Sequence, residues 1–142
     1  MTIHQLSVFL ENKKGALLQV FEVLKEAGIQ LISTNIADTA EYGILRILCS
    51  EPARAYKVMK DHDIAVALSD VFAIEIDNTV GRAADVVGIF TKEGLGLTYL
   101  YSFIINGKGI LIFRTNDPIK TEEVIILNKL KFIAENDLSE II

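Results

Sequence analysis

Two short loops carry the residue types best suited to binding chemistry. The first reads Leu10-Glu11-Asn12-Lys13-Lys14-Gly15-Ala16-Leu17, and the second Ile76-Asp77-Asn78-Thr79-Val80-Gly81-Arg82-Ala83. In each, an alternating apolar segment ends, polar residues follow, and a glycine precedes a segment with helical periodicity. A helix start presents backbone N–H groups without intrahelical partners and a partial positive charge, which together favour a carboxylate. Glycine lets a ligand come close to the backbone. An Asn side chain offers both donor and acceptor, which suits a zwitterion. A plainer reading stands beside this one: Asn12 and Asn78 as turn residues that satisfy their own backbone, and Lys13, Lys14 and Arg82 as solvated cations.

Other chemistry-bearing residues read as structural. The single cysteine, Cys49, excludes an internal disulfide and any multi-cysteine metal site. Asp61, His62 and Asp63 are adjacent on a helix and point in different directions, which fits a helix terminus better than a metal site. Gly94-Leu95-Gly96 leads from helix to strand, the wrong order for a dinucleotide loop. No paired acid and base or activated nucleophile recurs in both halves, so the chain reads as non-enzymatic, with no catalytic residue, metal or cofactor.

The elements that must position the loops come in two copies. Identical residues recur 66 positions apart without a gap, among them Gly15/Gly81, Val20/Val86, Gly28/Gly94, Gly43/Gly109 and Pro52/Pro118. They are turn glycines, a helix-start proline and core aliphatics, the positions a backbone constrains most. Each half opens with an alternating strand, Gln5–Leu10 or Val71–Ile76, with Leu6, Val8 and Leu10 inward and Gln5, Ser7 and Phe9 outward in the first. Leu17, Val20, Phe21 and Leu24 then form one helical stripe that Gly28 ends. Two strands follow, Gln30–Ala37 and Tyr42–Cys49, with mates Leu97–Ile105 and Gly109–Thr115 around a tight Asn106-Gly107 turn. Ser50 and Asn116 read as N-caps of second helices over Pro52–His62 and Pro118–Leu130. Last strands begin near Val66 and Phe132. Ser69 and Asp70 alone form the link. The order βαββαβ, twice, specifies an α+β class: two tandem ferredoxin-like sandwiches, each an antiparallel four-stranded sheet with its helices on one face, the sheets joined side by side.

The 142 residues carry a net charge of −5 with 51% hydrophobic residues, which describes a folded chain and argues against nucleic-acid binding. No apolar run approaches the roughly 20 residues of a membrane span, and the start lacks a signal-peptide pattern. The expectation is a soluble, cytoplasmic protein with no membrane partner. Tyr99, Tyr101 and Phe103 share a strand face suited to cross-strand or sheet-to-sheet packing. Ile125, Ile126 and Leu127, with Ile141 and Ile142, hint at self-association.

The first loop resembles the signature of the ACT domain family of amino-acid sensors, and Ala27-Gly28-Ile29-Gln30-Leu31 resembles that family's second fingerprint, where the first helix turns into the second strand. Both recur, the latter as Glu93-Gly94-Leu95-Gly96-Leu97. The resemblance covers the chain as two ACT domains, residues 1–69 and 70–142, and is similar to a group of bacterial proteins made of two such domains. It implies a regulatory protein whose domains pair side by side, with an amino acid at the seam. The strand-to-helix loop of one domain and the start of the second strand of its neighbour hold it. The ligand-contacting positions so implied are Glu11, Asn12, Lys13, Lys14, Gly15, Ala16 and Leu17 in the first loop and Asn78, Thr79, Val80, Gly81 and Arg82 in the second. Gln30, and in the second half Gly96 and Thr98, stand at the strand starts. In the serine-sensing tail of phosphoglycerate dehydrogenase, a ligand-contacting His precedes the loop; here Leu10 and Ile76 replace it.

The two seams so implied are unequal. One pairs the Asn78 loop with Gln30 and keeps both amides, which suits a small polar amino acid. The other pairs the Asn12 loop with Gly96, and its extra room suits histidine or an aromatic amino acid. Losing a buried hydrogen-bond partner costs about 1–3 kcal/mol, enough to silence one site. The expected assembly is a homodimer that regulates an enzyme partner in trans. The competing reading is a ligand-free protein-interaction or oligomerisation module.

Overall fold

The computed structural model describes residues 1–11, 13–38 and 42–141. Among these residues the elements are β1 (Ile3–Glu11), α1 (Ala16–Glu26), β2 (Leu31–Asp38), β3 (Tyr42–Cys49), α2 (Pro52–Asp61), β4 (Val66–Ile76), α3 (Arg82–Lys92), β5 (Leu97–Ile105), β6 (Lys108–Thr115), α4 (Pro118–Leu127) and α5 (Glu135–Ile141). The chain divides into two compact units, His4–Ser69 and Asp70–Ile141, the second joined by Met1–Ile3.

In the first unit the strand order is β2-β3-β1-β4. The pairs β1–β3 and β2–β3 are antiparallel. Alternation sends Leu6, Val8, Leu45 and Ile47 to one face, where Val20, Val23 and Leu24 of α1 and Ala55 and Met59 of α2 close the core. In the second unit the order is β5-β6-β4, again antiparallel. Phe72, Ile74, Leu111 and Phe113 meet Val86 and Phe90 of α3 and Val124 and Ile125 of α4. Each fully buried side chain of this size contributes about 1.5–3 kcal/mol. Both units are ferredoxin-like sandwiches; the first completes the βαββαβ order with β4, and the second has an isolated bridge at Phe132 where its fourth strand is expected.

The helix ends follow from backbone chemistry. After α1, Gly28 adopts a left-handed φ of 72°, and the N–H groups of Gly28 and Ile29 return to the carbonyls of Lys25 and Leu24. After α3, Gly94 and Leu95 return to Thr91 and Phe90 in the same way. Asp63 and Lys129 take left-handed conformations after α2 and α4. Each is the terminal motif that satisfies the last carbonyls of a helix.

Several sequence expectations are corrected. The N-caps are Glu51 and Asp117, not Ser50 and Asn116, because Pro52 and Pro118 already occupy the first helical turn. The Asp117 carboxylate accepts from the Lys120 N–H at 3.1 Å. The Ser50 hydroxyl instead accepts from the Gln30 N–H at 3.1 Å, and Gln30 lies just ahead of β2 rather than within it. Helix α4 stops at Leu127, three residues early, because Lys129 turns left-handed. Near Phe132 there is an isolated bridge to Ile74 in place of a strand, and α5 follows it. Ser69 and Asp70 are not a link but lie inside β4. Gln5, expected outward, is buried, and its amide donates to the Ser7 hydroxyl at 3.3 Å.

Candidate functional site

The two loops owe their shape to glycine. Gly15 and Gly81 precede α1 and α3 with φ of 91° and 85°. Only a residue without a Cβ adopts this conformation freely; another L-residue loses about 1–2 kcal/mol there. Around each glycine a four-residue turn repeats. The Ala16 N–H reaches the Lys13 carbonyl at 3.4 Å, and the Arg82 N–H reaches the Thr79 carbonyl at 3.1 Å. The first helical bonds run from Gln19 to Gly15 and from Asp85 to Gly81, each 3.0 Å. Among the described residues no side chain caps either helix, so the positive end of each dipole faces solvent.

Charge is arranged differently in the two loops. In the first, Lys13 Nζ stands 3.2 Å from the Glu11 carboxylate, and both side chains are exposed. In the second, Arg82 Nε lies 4.0 Å from the Asp77 carboxylate. Asp77 also accepts from the Thr79 N–H at 3.1 Å. Hydrogen bonding from Thr79 side chain and backbone, with a smaller contribution from the nearby Arg82 charge, holds the Asp77 carboxyl below the usual aspartate range. Each loop therefore sets one carboxylate beside one cation, and the first adds a second cation, Lys14. Lys14, Asn78, Thr79 and Val80 are exposed, Val80 completely so. Ala16 and Leu17 are half-buried at the start of α1. Asn12 lies outside the described residues.

The second-strand starts are held by a separate set of bonds. Ser50 donates its N–H to the Gln30 carbonyl at 2.9 Å while its hydroxyl accepts from Gln30. Arg54 donates to the Ala27 carbonyl at 2.6 Å and to Glu51 at 3.1 Å. The hydrogen bond from Arg54 keeps the Glu51 carboxyl low and the guanidinium charged. In both units the register shifts at the head of the second strand, between Leu31 and Ser33 and between Leu97 and Tyr99. Such bulges re-aim side chains next to sites. Gly96 and Thr98 are exposed there, and space is open around Gly96.

Within one unit these two groups do not meet. The loop and the strand head lie at opposite ends of the intervening helix, whose eleven residues make about 16 Å. The register says the same: the loop end of the first sheet is the row Leu10–Gly43–Asp38, and the other end pairs Leu31 with Cys49.

What each loop does meet is a set of residues that sequence reasoning passed over. In the second unit an open cleft of about 630 Å³ is lined by Ile76, Asp77, Asn78, Ser102, Phe103, Ile104, Gly107 and Gly109. In the first unit two smaller clefts flank the loop. One, of about 140 Å³, lies against Lys13, Ala16, Gln19 and Asp63; the other, of about 300 Å³, lies against Phe9, Glu11 and Tyr42. Of the repeated pair Gly43/Gly109, which stand opposite Leu10 and Ile76, Gly109 lines the cleft of its unit. His62, at the end of α2, bonds the Val58 carbonyl through Nδ1 at 2.9 Å. Cys49 is buried at the end of β3.

Residues 1–142 match the family model described as an ACT domain pair. The chain belongs to the ACT domain family. Among solved structures, protein BT0572 from Bacteroides thetaiotaomicron is similar over 99% of this chain and 97% of its own, with 40% identity and a TM-score of 0.92. The ACT domain pair is also similar to the ligand-free regulatory subunit of aspartate kinase from Thermus thermophilus. There the identity is 12%, the TM-score 0.61, and the coverage 87% of this chain and 91% of that one. The corresponding Thermus flavus subunit gives 14%, 0.59, 87% and 88%. At such identities the likeness concerns the fold. No curated protein matches the ACT pair. Among its described residues no helix is long and apolar enough to cross a membrane.

Proposed function

We propose that the protein is a cytoplasmic, non-catalytic amino-acid sensor, with residues 1–69 and 70–142 as its two ACT domains. The observation that carries this reading is the glycine-opened loop, present twice with the same backbone and a helix start that no described side chain caps. A ligand carboxylate fits that helix start. Asn78, and by sequence equivalence Asn12, supply donor and acceptor, and the loop charges meet the zwitterion. Because a loop and a strand head of one unit stand at opposite ends of a helix, a site built from both draws on two paired domains. The Asn78 loop with Gln30 is the amide-rich combination; the Asn12 loop with Gly96 and Thr98 is the roomier one. Binding that favours one association state shifts the protein toward it, and a homodimer then acts on an enzyme partner in trans.

The test is thermal unfolding of the intact protein with each of the twenty amino acids at about 5 mM. A ligand at 100 times its Kd adds about 2.7 kcal/mol of stability, several degrees for a protein of this size. A rise for one or two amino acids, lost in Asn78→Ala or Gln30→Ala, supports the sensor. A flat panel on folded protein favours the second reading, an interaction module. The observation for that alternative is α4, whose Ile119, Ile126 and Leu127 are mostly exposed.

A further inference from the structure

The cleft beside the Asn78 loop has a specific construction. Across the strand ladder, Ile76 faces Gly109, and Gly109 faces Ile104. These three residues form one cross-strand row on a single face of the sheet. The outer members are large and apolar, and Ile104 is mostly exposed. The middle member has no side chain, and Ile76 leans across it, its Cγ1 3.2 Å from where a Gly109 Cβ would stand. A Cβ on Gly109 would fall 2.9 Å from the Ile76 carbonyl oxygen, so the close strand approach keeps this position bare. The next row inward, Ile74–Leu111–Ser102, puts a hydroxyl at the cleft wall. Asp77 and Asn78 form the polar rim, with the Arg82 guanidinium beside Asp77.

The cavity of about 630 Å³ lies in the range that small-molecule sites occupy, roughly 300–1,000 Å³, and combines apolar walls with a few polar groups at one edge. In the first unit the equivalent row is Leu10–Gly43–Asp38. Its outer member is an acidic residue type where the second unit has Ile104.

We propose that this cleft is a side-chain pocket that selects an apolar amino acid of the leucine or phenylalanine class. The side chain lies in the cleft between Ile76 and Ile104, against Ser102, and the zwitterion lies at the rim formed by Asp77 and Asn78. The inference rests on the amino-acid reading above and narrows it. The amides alone suited a small polar ligand; the apolar row beneath them favours a larger, greasy one. It also assigns ligand contact to Ile76, Ser102, Ile104 and Gly109.

Calorimetric titration of the full chain with L-leucine, L-phenylalanine and L-serine tests it, alongside Ser102→Trp, which fills the cleft from an exposed strand position. Ile104→Asp, which copies the first unit, gives a second variant should Ser102→Trp fold poorly. The expected result is binding of leucine or phenylalanine at least tenfold tighter than serine, and a tenfold or greater loss in either variant at unchanged melting temperature. Serine binding as tightly as both, or apolar binding unaffected by both variants, overturns the pocket while leaving the sensor standing. Absence of any binding across all twenty amino acids overturns the sensor reading and the pocket with it.

Discussion

Thr115 and Thr121 occupy, 66 residues on, the places of Cys49 and Ala55, and the two pairs fill one kind of space with different chemistry. All four are buried. In the second unit the hydroxyls, 2.6 Å apart, close a ring: the Asp117 N–H donates to Thr115, and Thr121 donates to the Asp117 carbonyl at 2.8 Å. In the first unit a thiol and a methyl pack there instead. The backbone, by contrast, repeats closely. Left-handed residues recur at Gly15 and Gly81, Gly28 and Gly94, and Asp63 and Lys129. The strand-head bulges recur as well. The lesson is that chain path is held by steric rules that admit few residues, whereas a buried pair admits any filling that leaves no polar group unsatisfied.

The sharpest way to break the equivalence lies at the glycine rows. Gly109→Ala puts a Cβ 2.9 Å from a backbone oxygen, whereas in Gly43→Ala the nearest atom is a side-chain carbon of Ile36 at 3.4 Å. Strand backbone yields less readily than a side-chain tip. The expected losses are about 2–3 kcal/mol for Gly109→Ala and less than about 1 kcal/mol for Gly43→Ala, read from urea unfolding. Equal losses would show that the two ladders are equally close.

The threonine ring comes next. Thr121→Ala should cost about 1–2 kcal/mol, because it leaves the Thr115 hydroxyl buried with a partner removed. Adding Thr115→Cys, which rebuilds the first unit's solution, should recover part of that loss. A double variant as unstable as the sum of the singles would mean that the two positions do not act together.

The smallest effect concerns the loop carboxylate. Asp77 titrates below the ordinary aspartate range in the folded protein, chiefly through Thr79. Its contribution to stability is therefore present above the unfolded value of about 3.9 and fades as pH falls through the lower folded value. Carboxylate titration by NMR should find the Asp77 pKa depressed, and Thr79→Ala should raise it toward normal. An unchanged value in that variant would reassign the shift to Arg82.

Much of the fold was legible because it rests on local rules. Strands β3 and β5 begin and end where alternation and turn residues place them. The glycine ends of α1 and α3 follow from φ alone. Helix α5 was not legible. It has seven residues, and its start is set by the Asp137 carboxylate accepting from the Ala134 N–H, a bond that leaves no apolar period to read. Alternation put Phe72 and Ile74 inward, as observed, but it gave no sign that Val71 and Ala73 on the other face, or the whole run Ile110 through Phe113, are buried too. The loops could be found from Asn and Gly spacing. The cleft could not, because Gly109 faces Ile76, and Ile104 faces Gly109, through register, which sequence periodicity does not specify.

Strand β4 has a consequence for dissection. The boundary between the two compact units falls between Ser69 and Asp70, midway along an uninterrupted strand. Cutting the gene there would leave two fragments that each end in half a ladder, with raw strand ends in place of a loop. Shuffling one half onto another scaffold would have to carry all eleven residues of β4.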